Sequence, residues 1–404
     1  TPAVIKSTKS IAMAHLYVDL FSDAIIEEHY DAELAGIHYH LYTHQGGMTL
    51  QLSGISEKQP QLLRKLLASI KDHDFEQERF ELIKQQLIIH WKNSDKSKSI
   101  SQLFSKLSSA MQPKNPESDS LAKALEAVGY QEFNQFIRQM FDKVAIEVLI
   151  HGNWHKKHAI DISQQITDTF AQQHSAKHKA QIPVLDIHNQ GEITYPLILP
   201  EHDHAAVLYY PQQDKDLATV AKTMITSHLL SPLFFQEMRT EKQFGYLVGV
   251  GFVPINRYPG IAFYVQSPHT SSLELIKAMD EFIQNSLDLL DDMKTEDWQH
   301  LQQGLAGQLQ EKDASLRIKS QRFWGAICNQ DTHFSHKTEL IEHVTSLTLA
   351  EVTDYIQSKL LNSGSADRVN LVSFPNEKAF QTTRISGKVI KSIEEMTNLC
   401  QKKF

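Results

Sequence analysis

Two stretches of this 404-residue chain run through the same succession of residue types. One is "YDAELAGIHYHLYTHQGGMTLQLSGI", starting at Tyr30, and the other is "RTEKQFGYLVGVGFVPINRYPGIAFYVQS", starting at Arg239. Each passes from acidic residues through a short apolar step to a glycine, then through two alternating apolar strands joined by a glycine-containing turn. Gly36 matches Gly245 at an offset of 209, Gly47 matches Gly260 at 213, Phe80 matches Trp298 at 218 and Phe136 matches Tyr355 at 219. Chance resemblances scatter, whereas two copies of one module with a few inserted loop residues give an offset that only creeps upward. The chain therefore reads as two modules, 1–172 and 173–404, with a basic, small-residue linker near 172–180, each close to the roughly 200-residue upper end of ordinary domain sizes.

Within each copy the coarse order is helix, strand pair, helix, long helix, helix, strand. After the helix cap expected at Asp216, Leu217, Val220, Ala221, Met224, Ile225 and Leu229 recur at helical spacing; "SIAMAHLYVDLFSDAIIEEHY" does the same in the first copy. Ile261, Phe263 and Val265 alternate with Ala262, Tyr264 and Gln266, as Met48, Leu50 and Leu52 do with Thr49, Gln51 and Ser53. Such alternation predicts an α+β fold in which each module is a mostly antiparallel sheet with helices on one face. Long polar helices are expected over roughly 76–92 and 295–312, and an exposed loop over 111–120. "EITYPLILP" and "AAVLYYP" read as opening strands of the second module, while the first begins almost directly in its helix. An uncovered sheet edge is disfavoured, so the chain is expected to be a piece of something larger, with the true start of its first module lying upstream.

A net charge of -8 and a pI near 6.2 repel polyanions, which argues against nucleic acid. Apolar runs such as "VAIEVLI" are too short to span a bilayer. Cys328 and Cys400 form no CxxC pair and leave both cytoplasm and periplasm open. The 21 histidines prompt a search for metal ligands, but neither HExxH nor HxxEH occurs. The nearest groupings are His29; His38, His40 and His44; His151, His155 and His158; and His202 with His204. His38 and His40 share a strand face with no carboxylate following at a useful distance, so these histidines read as surface or packing residues. No GxSxG elbow or phosphate loop is present, and no metal or cofactor site is expected in this chain.

"MRTEKQFGYLVG" places a charged helix end against an apolar strand, with Gly245 expected as the helix cap and Tyr246 as the first strand residue. Arg239 at a helix C-terminus is favoured by the dipole and offers five donors, and Tyr246 adds a phenolic one; together they could grip a peptide backbone. The alternative is that Arg239 pairs with Glu237 or Glu241 and Tyr246 fills the seam between helix and sheet.

"RTEKQFGYLVG", "GIAFYVQSP" and "RFWGAI" resemble the C-terminal half of the insulinase/pitrilysin (M16) family of zinc metallopeptidases. "YDAELAGIHYHLYTHQGGMTLQLSGISEKQPQLLRKLL" resembles the third module of the same proteins and "EVLIHGNWHKKHA" that module's closing strand and helix. The likeness runs from about Ala12 to about Phe374. It implies the M16/LuxS-like fold, four modules paired into two bowl-shaped halves around a chamber, and zinc bound by an HxxEH motif in the absent N-terminal half. By the resemblance, Arg239 and Tyr246 match an arginine and a tyrosine that contact the bound peptide near the zinc. The chain would then be the non-catalytic half of a zinc metalloendopeptidase acting on peptides or small unfolded polypeptides, with the catalytic N-terminal half as partner. The alternative is a catalytically inactive binding or assembly protein of the same fold. Relatives of this kind suggest the periplasm, with the cytoplasm still open.

Overall fold

The computed structural model describes residues 1–26, 29–71, 73–94, 97–199, 203–361, 366–381 and 386–404. They form two compact units, 1–96 with 114–182 and Phe404, and 97–113 with 183–403.

The first unit is built around α1 (Thr8–Ile26), whose sequence is apolar on nearly every face and whose Leu16, Tyr17, Leu20 and Phe21 are fully buried. α2 (Tyr30–Leu34) leads into a hairpin of β1 (His38–His44) and β2 (Gly47–Ser53), paired antiparallel from His38 opposite Ser53 to His44 opposite Gly47. α3 (Gln59–Ser69) and α4 (Gln77–Asn93) follow. α5 (Ser99–Met111) belongs to the second unit, and α6 (Ser118–Glu126), α7 (Tyr130–Met140) and α8 (Lys156–Thr169) return to the first.

The second unit holds β3 (Val184–Asp186), β4 (Glu192–Ile198), β5 (His204–Pro211), α9 (Leu217–Phe235), β6 (Leu247–Phe252), β7 (Gly260–Ser267) and α10 (Ser272–Asp291). Then come α11 (Thr295–Gln310), α12 (Leu316–Cys328), α13 (His336–Ser346), α14 (Leu349–Ile356) and β8 (Arg368–Phe374). α15 (Glu377–Gln381), β9 (Lys388–Val389), α16 (Ile393–Leu399) and β10 (Gln401–Lys403) close the chain. The main sheet has the order β6-β7-β5-β8-β4-β9, antiparallel from β6 through β8 and parallel across β8, β4 and β9. β6 is therefore an edge strand.

The matched residues of the two copies occupy matched places. Phe80 and Trp298 are both in the first turn of a long helix, α4 and α11, and both are buried. Phe136 in α7 and Tyr355 in α14 are buried likewise. Asp216 caps α9 as expected, its Oδ1 accepting the Thr219 N–H at 3.0 Å.

The α+β class stands, with the structure adding detail at three places. First, helices cover both faces of the second unit's sheet. Ala206, Leu208 and Phe263 pack beneath α9 and α10, while Ala205, Val207 and Ala262 on the opposite face pack against Leu103 and Leu107 of α5 and Met396 of α16. The continuous apolar run "AAVLYYP" is the mark of a strand buried on both sides, and β5 is buried along almost its whole length. Second, the compact units divide at 182/183 rather than 172/173, because Gln173 and Ser175 stay hydrogen-bonded to Val144, and Ala180 and Ile182 lie against Gly46. Third, "VAIEVLI", expected as a closing strand, has a single bridge, Val144 with His174, among the described residues. A strand exists only through its neighbours; β8, at the corresponding place in the second unit, lies between β5 and β4.

Candidate functional site

Three adjacent strands bring their ends together at one end of the main sheet. Tyr246 immediately precedes β6, Asp203 immediately precedes β5, and Gln266 sits near the end of β7 between them, paired with both Leu247 and Ala205. The entry to β6 is unusual. α9 contains Pro232 and passes into a π-helical turn over Gln236–Glu241, a wide turn of the kind often found at functional positions. Gln243 then takes the left-handed conformation at φ 52°, and the Phe244 N–H reaches back to the Met238 carbonyl at 3.0 Å.

Gly245 is thus not the helix cap expected from the sequence. Its Cβ, if it had one, would stand 2.0 Å from the Gln266 carbonyl oxygen, so its role is to let the start of β6 lie against the end of β7. Its counterpart Gly36 does take the left-handed turn, at φ 74°, with open space where a Cβ would be. One glycine of the matched pair serves a turn and the other a close approach.

Arg239 and Tyr246 meet across this turn. The Arg239 guanidinium donates to the Tyr246 carbonyl at 2.8 Å and lies 5.2 Å from the Phe235 ring centroid. Glu237 is engaged by Lys242 at 2.7 Å and Glu241 accepts from Gln236, so neither anion holds Arg239. Both side chains are exposed, Tyr246 by 49%. The Tyr246 hydroxyl donates to Asp203 Oδ2 at 3.2 Å, and the Lys98 ammonium lies 6.0 Å from the centre of its ring. In the first copy the positions matching Arg239 and Tyr246 hold Tyr30 and the buried Ile37, so that hairpin presents no equivalent donor pair.

The histidine groupings disperse. His29 is buried, edge-on to Tyr39; His40 leans on Tyr42; His44 donates to the Gln45 carbonyl at 2.9 Å; His155 and His158 face each other at 5.5 Å between ring centroids. His38 does gain a carboxylate, Glu33, which the turn after α2 brings from upstream rather than downstream. His202 lies outside the described residues. Among the described residues no three His, Cys, Asp or Glu side chains converge to hold a metal ion. Nor, among them, is any helix long and apolar enough to cross a membrane.

The family model for the middle or third domain of M16 peptidases matches residues 1–124, and that for the C-terminal lobe domain 4 of PQQ synthase PqqF-like proteins matches 225–324. Human insulin-degrading enzyme is 27% identical over 364 residues, which take in 86% of this chain and 35% of that protein. The chain is a homologue of the C-terminal half of M16 peptidases. It spans about a third of the length of the curated relatives it matches. In fold it is similar to pitrilysin, with a TM-score of 0.86 and 17% identity over 100% of this chain and 43% of that one. It is also similar to an M16 peptidase inactive domain from Pseudomonas fluorescens, with a TM-score of 0.66 and 15% identity over 90% and 89% of the two chains. A further relative, "Putative zinc protease mug138" of Schizosaccharomyces pombe, is 26% identical over 377 residues, which take in 90% of this chain and 38% of that protein.

Proposed function

We propose that this chain is the non-catalytic C-terminal half of a zinc metalloendopeptidase, enclosing peptide substrate and presenting Arg239 and Tyr246 to the reaction centre of the other half. The observation that carries this reading is their juxtaposition. An exposed guanidinium and an exposed phenol are locked to one turn at the mouth of an edge strand, through the 2.8 Å bond from Arg239 to the Tyr246 carbonyl. Donors held rigidly where charge develops on a carbonyl oxygen stabilise it more than mobile ones, because no reorganisation is needed at the moment of reaction. The zinc of the parent protein belongs in this reading to the catalytic half, and the substrate is a peptide or small unfolded polypeptide.

The test joins the chain to its catalytic half. Arg239→Ala is expected to lower kcat by about a hundredfold, the scale for losing one oxyanion donor, while shifting stability by only about 0.5 kcal/mol, as exposed substitutions do. Equal losses of both, or neither, would count against the role. The competing reading, a binding or assembly protein of the same fold, predicts no peptidase activity at all from the joined halves.

A further inference from the structure

The phenol of Tyr246 does not hang free from its turn; Asp203 and Gln266 of the same unit converge on it. We infer that Asp203 and Gln266 are positioning residues for Tyr246, fixing its hydroxyl where it can donate a hydrogen bond to a substrate carbonyl. This rests on the reading of Tyr246 as a donor given above. Gln266 is the anchor. Its side chain is 1% exposed; its Oε1 accepts the Ile100 N–H at 3.2 Å, and its Nε2 donates to Asp203 Oδ2 at 2.9 Å and to the Tyr246 oxygen at 3.3 Å. Ile100 is in the first turn of α5, where N–H groups lack intrahelical partners and Lys98 at the cap position supplies no side-chain bond. The same amide therefore satisfies a helix terminus with one end and orients a phenol with the other.

Asp203 completes the triangle by accepting from both Gln266 and Tyr246 on the same oxygen. A phenol has one proton, so it can serve one acceptor at a time. When a peptide carbonyl approaches, the Tyr246 proton passes in hydrogen bonding from Asp203 Oδ2 to that carbonyl, with no covalent bond changed, and Gln266 Nε2 continues to donate to the phenolic oxygen. Asp203 is the acceptor in the resting chain and Gln266 the support that stays. The three residues sit at neighbouring strand ends, so their spacing is set by the sheet register and the glycine at 245 rather than by flexible loops.

Two measurements test this. In the peptidase formed with the catalytic half, Asp203→Ala and Gln266→Glu are expected to lower kcat about fivefold to tenfold with little change in KM, but by less than about twofold in a Tyr246→Phe background, a coupling of the size contacting residues show. Asp203→Asn, which keeps an acceptor oxygen, should restore most of the loss. Equal losses in both backgrounds would mean a merely structural role and overturn the inference. In the 404-residue chain with ring-labelled tyrosine, the Tyr246 resonances should move toward unstructured positions in Asp203→Ala and Gln266→Glu and stay in place in Asp203→Asn. Unchanged spectra in Asp203→Ala overturn the inference whatever the activity. Should Tyr246→Phe alone leave kcat unaltered, the donor role fails instead, and the spectra still decide whether Asp203 and Gln266 hold the ring.

Discussion

Gly245 shows how a single residue can matter through what it lacks. A methyl group there would collide with the Gln266 carbonyl at 2.0 Å, and backbone cannot swing aside as a flexible side chain can. Gly245→Ala is expected to destabilise the second unit by about 2 kcal/mol or more, the upper range for overpacking, and to displace Tyr246 from Asp203. Thermal unfolding measures the first, and loss of the Tyr246 contact in a crystal structure the second. An alanine variant with unchanged melting would mean that β6 and β7 do not approach so closely. Gly36 makes a different demand. Its left-handed φ penalises any residue with a Cβ, but nothing nearby would clash, so Gly36→Asn should be tolerated better than Gly36→Val.

Among the elements, β4, β8 and α10 are joined by a half-buried cluster of charges. Arg368 of β8 keeps only 11% of its side chain exposed and is gripped by Asp280 of α10 and by Glu192 of β4 at 3.0 Å, with Asn370 and Ser386 also donating to Glu192. Burial alone would raise the Glu192 pKa, but the Arg368 charge and the hydrogen bonds outweigh it and hold the carboxyl below its ordinary 4.5. A depressed folded pKa means stability that is complete above the unfolded value and lost as pH falls through the folded one. The second unit should therefore weaken as pH drops below 4.5. Glu192→Gln should lower stability at neutral pH and flatten this acid limb, as read by denaturant titration at several pH values. An unchanged acid limb would remove Glu192 from the explanation. At the start of α9, Asp216→Ala should cost about 1 kcal/mol for the lost cap, the same measurement serving as check.

For the whole molecule, the division into units is not a division at one point along the chain. α5 leaves the first stretch of sequence to cover a sheet made from the second, burying Leu103 and Leu107 against Val207 and Ala262. Leu103→Ala should destabilise the second unit by about 2–4 kcal/mol, and hydrogen exchange should quicken in β5 and β8 while α1 and α4 keep their protection. Faster exchange confined to α1 and α4 would assign α5 to the wrong core. The helix and strand periods and the Asp216 cap were legible in the sequence because each is local, arising from a repeat of 3.6 or 2 residues or from a side chain three positions away from its partner, and the duplication because the same succession of residue types returns at a nearly constant offset. Arg239 and Tyr246 were legible as a pair for the same reason, being seven residues apart on one turn. Asp203 and Gln266 were not, since 43 and 20 residues separate them from Tyr246. Only strand order brings them to it. The sequence by itself determined the main helices and the hairpin strands, whose periods are set by near neighbours along the chain, but not "VAIEVLI", which has a single bridge among the described residues. Tertiary structure alone decided that α5 serves the second sheet, that Gly245 is an approach rather than a cap, and what surrounds Tyr246. These depend on register and packing between segments whose separation in sequence carries no record of their distance in space.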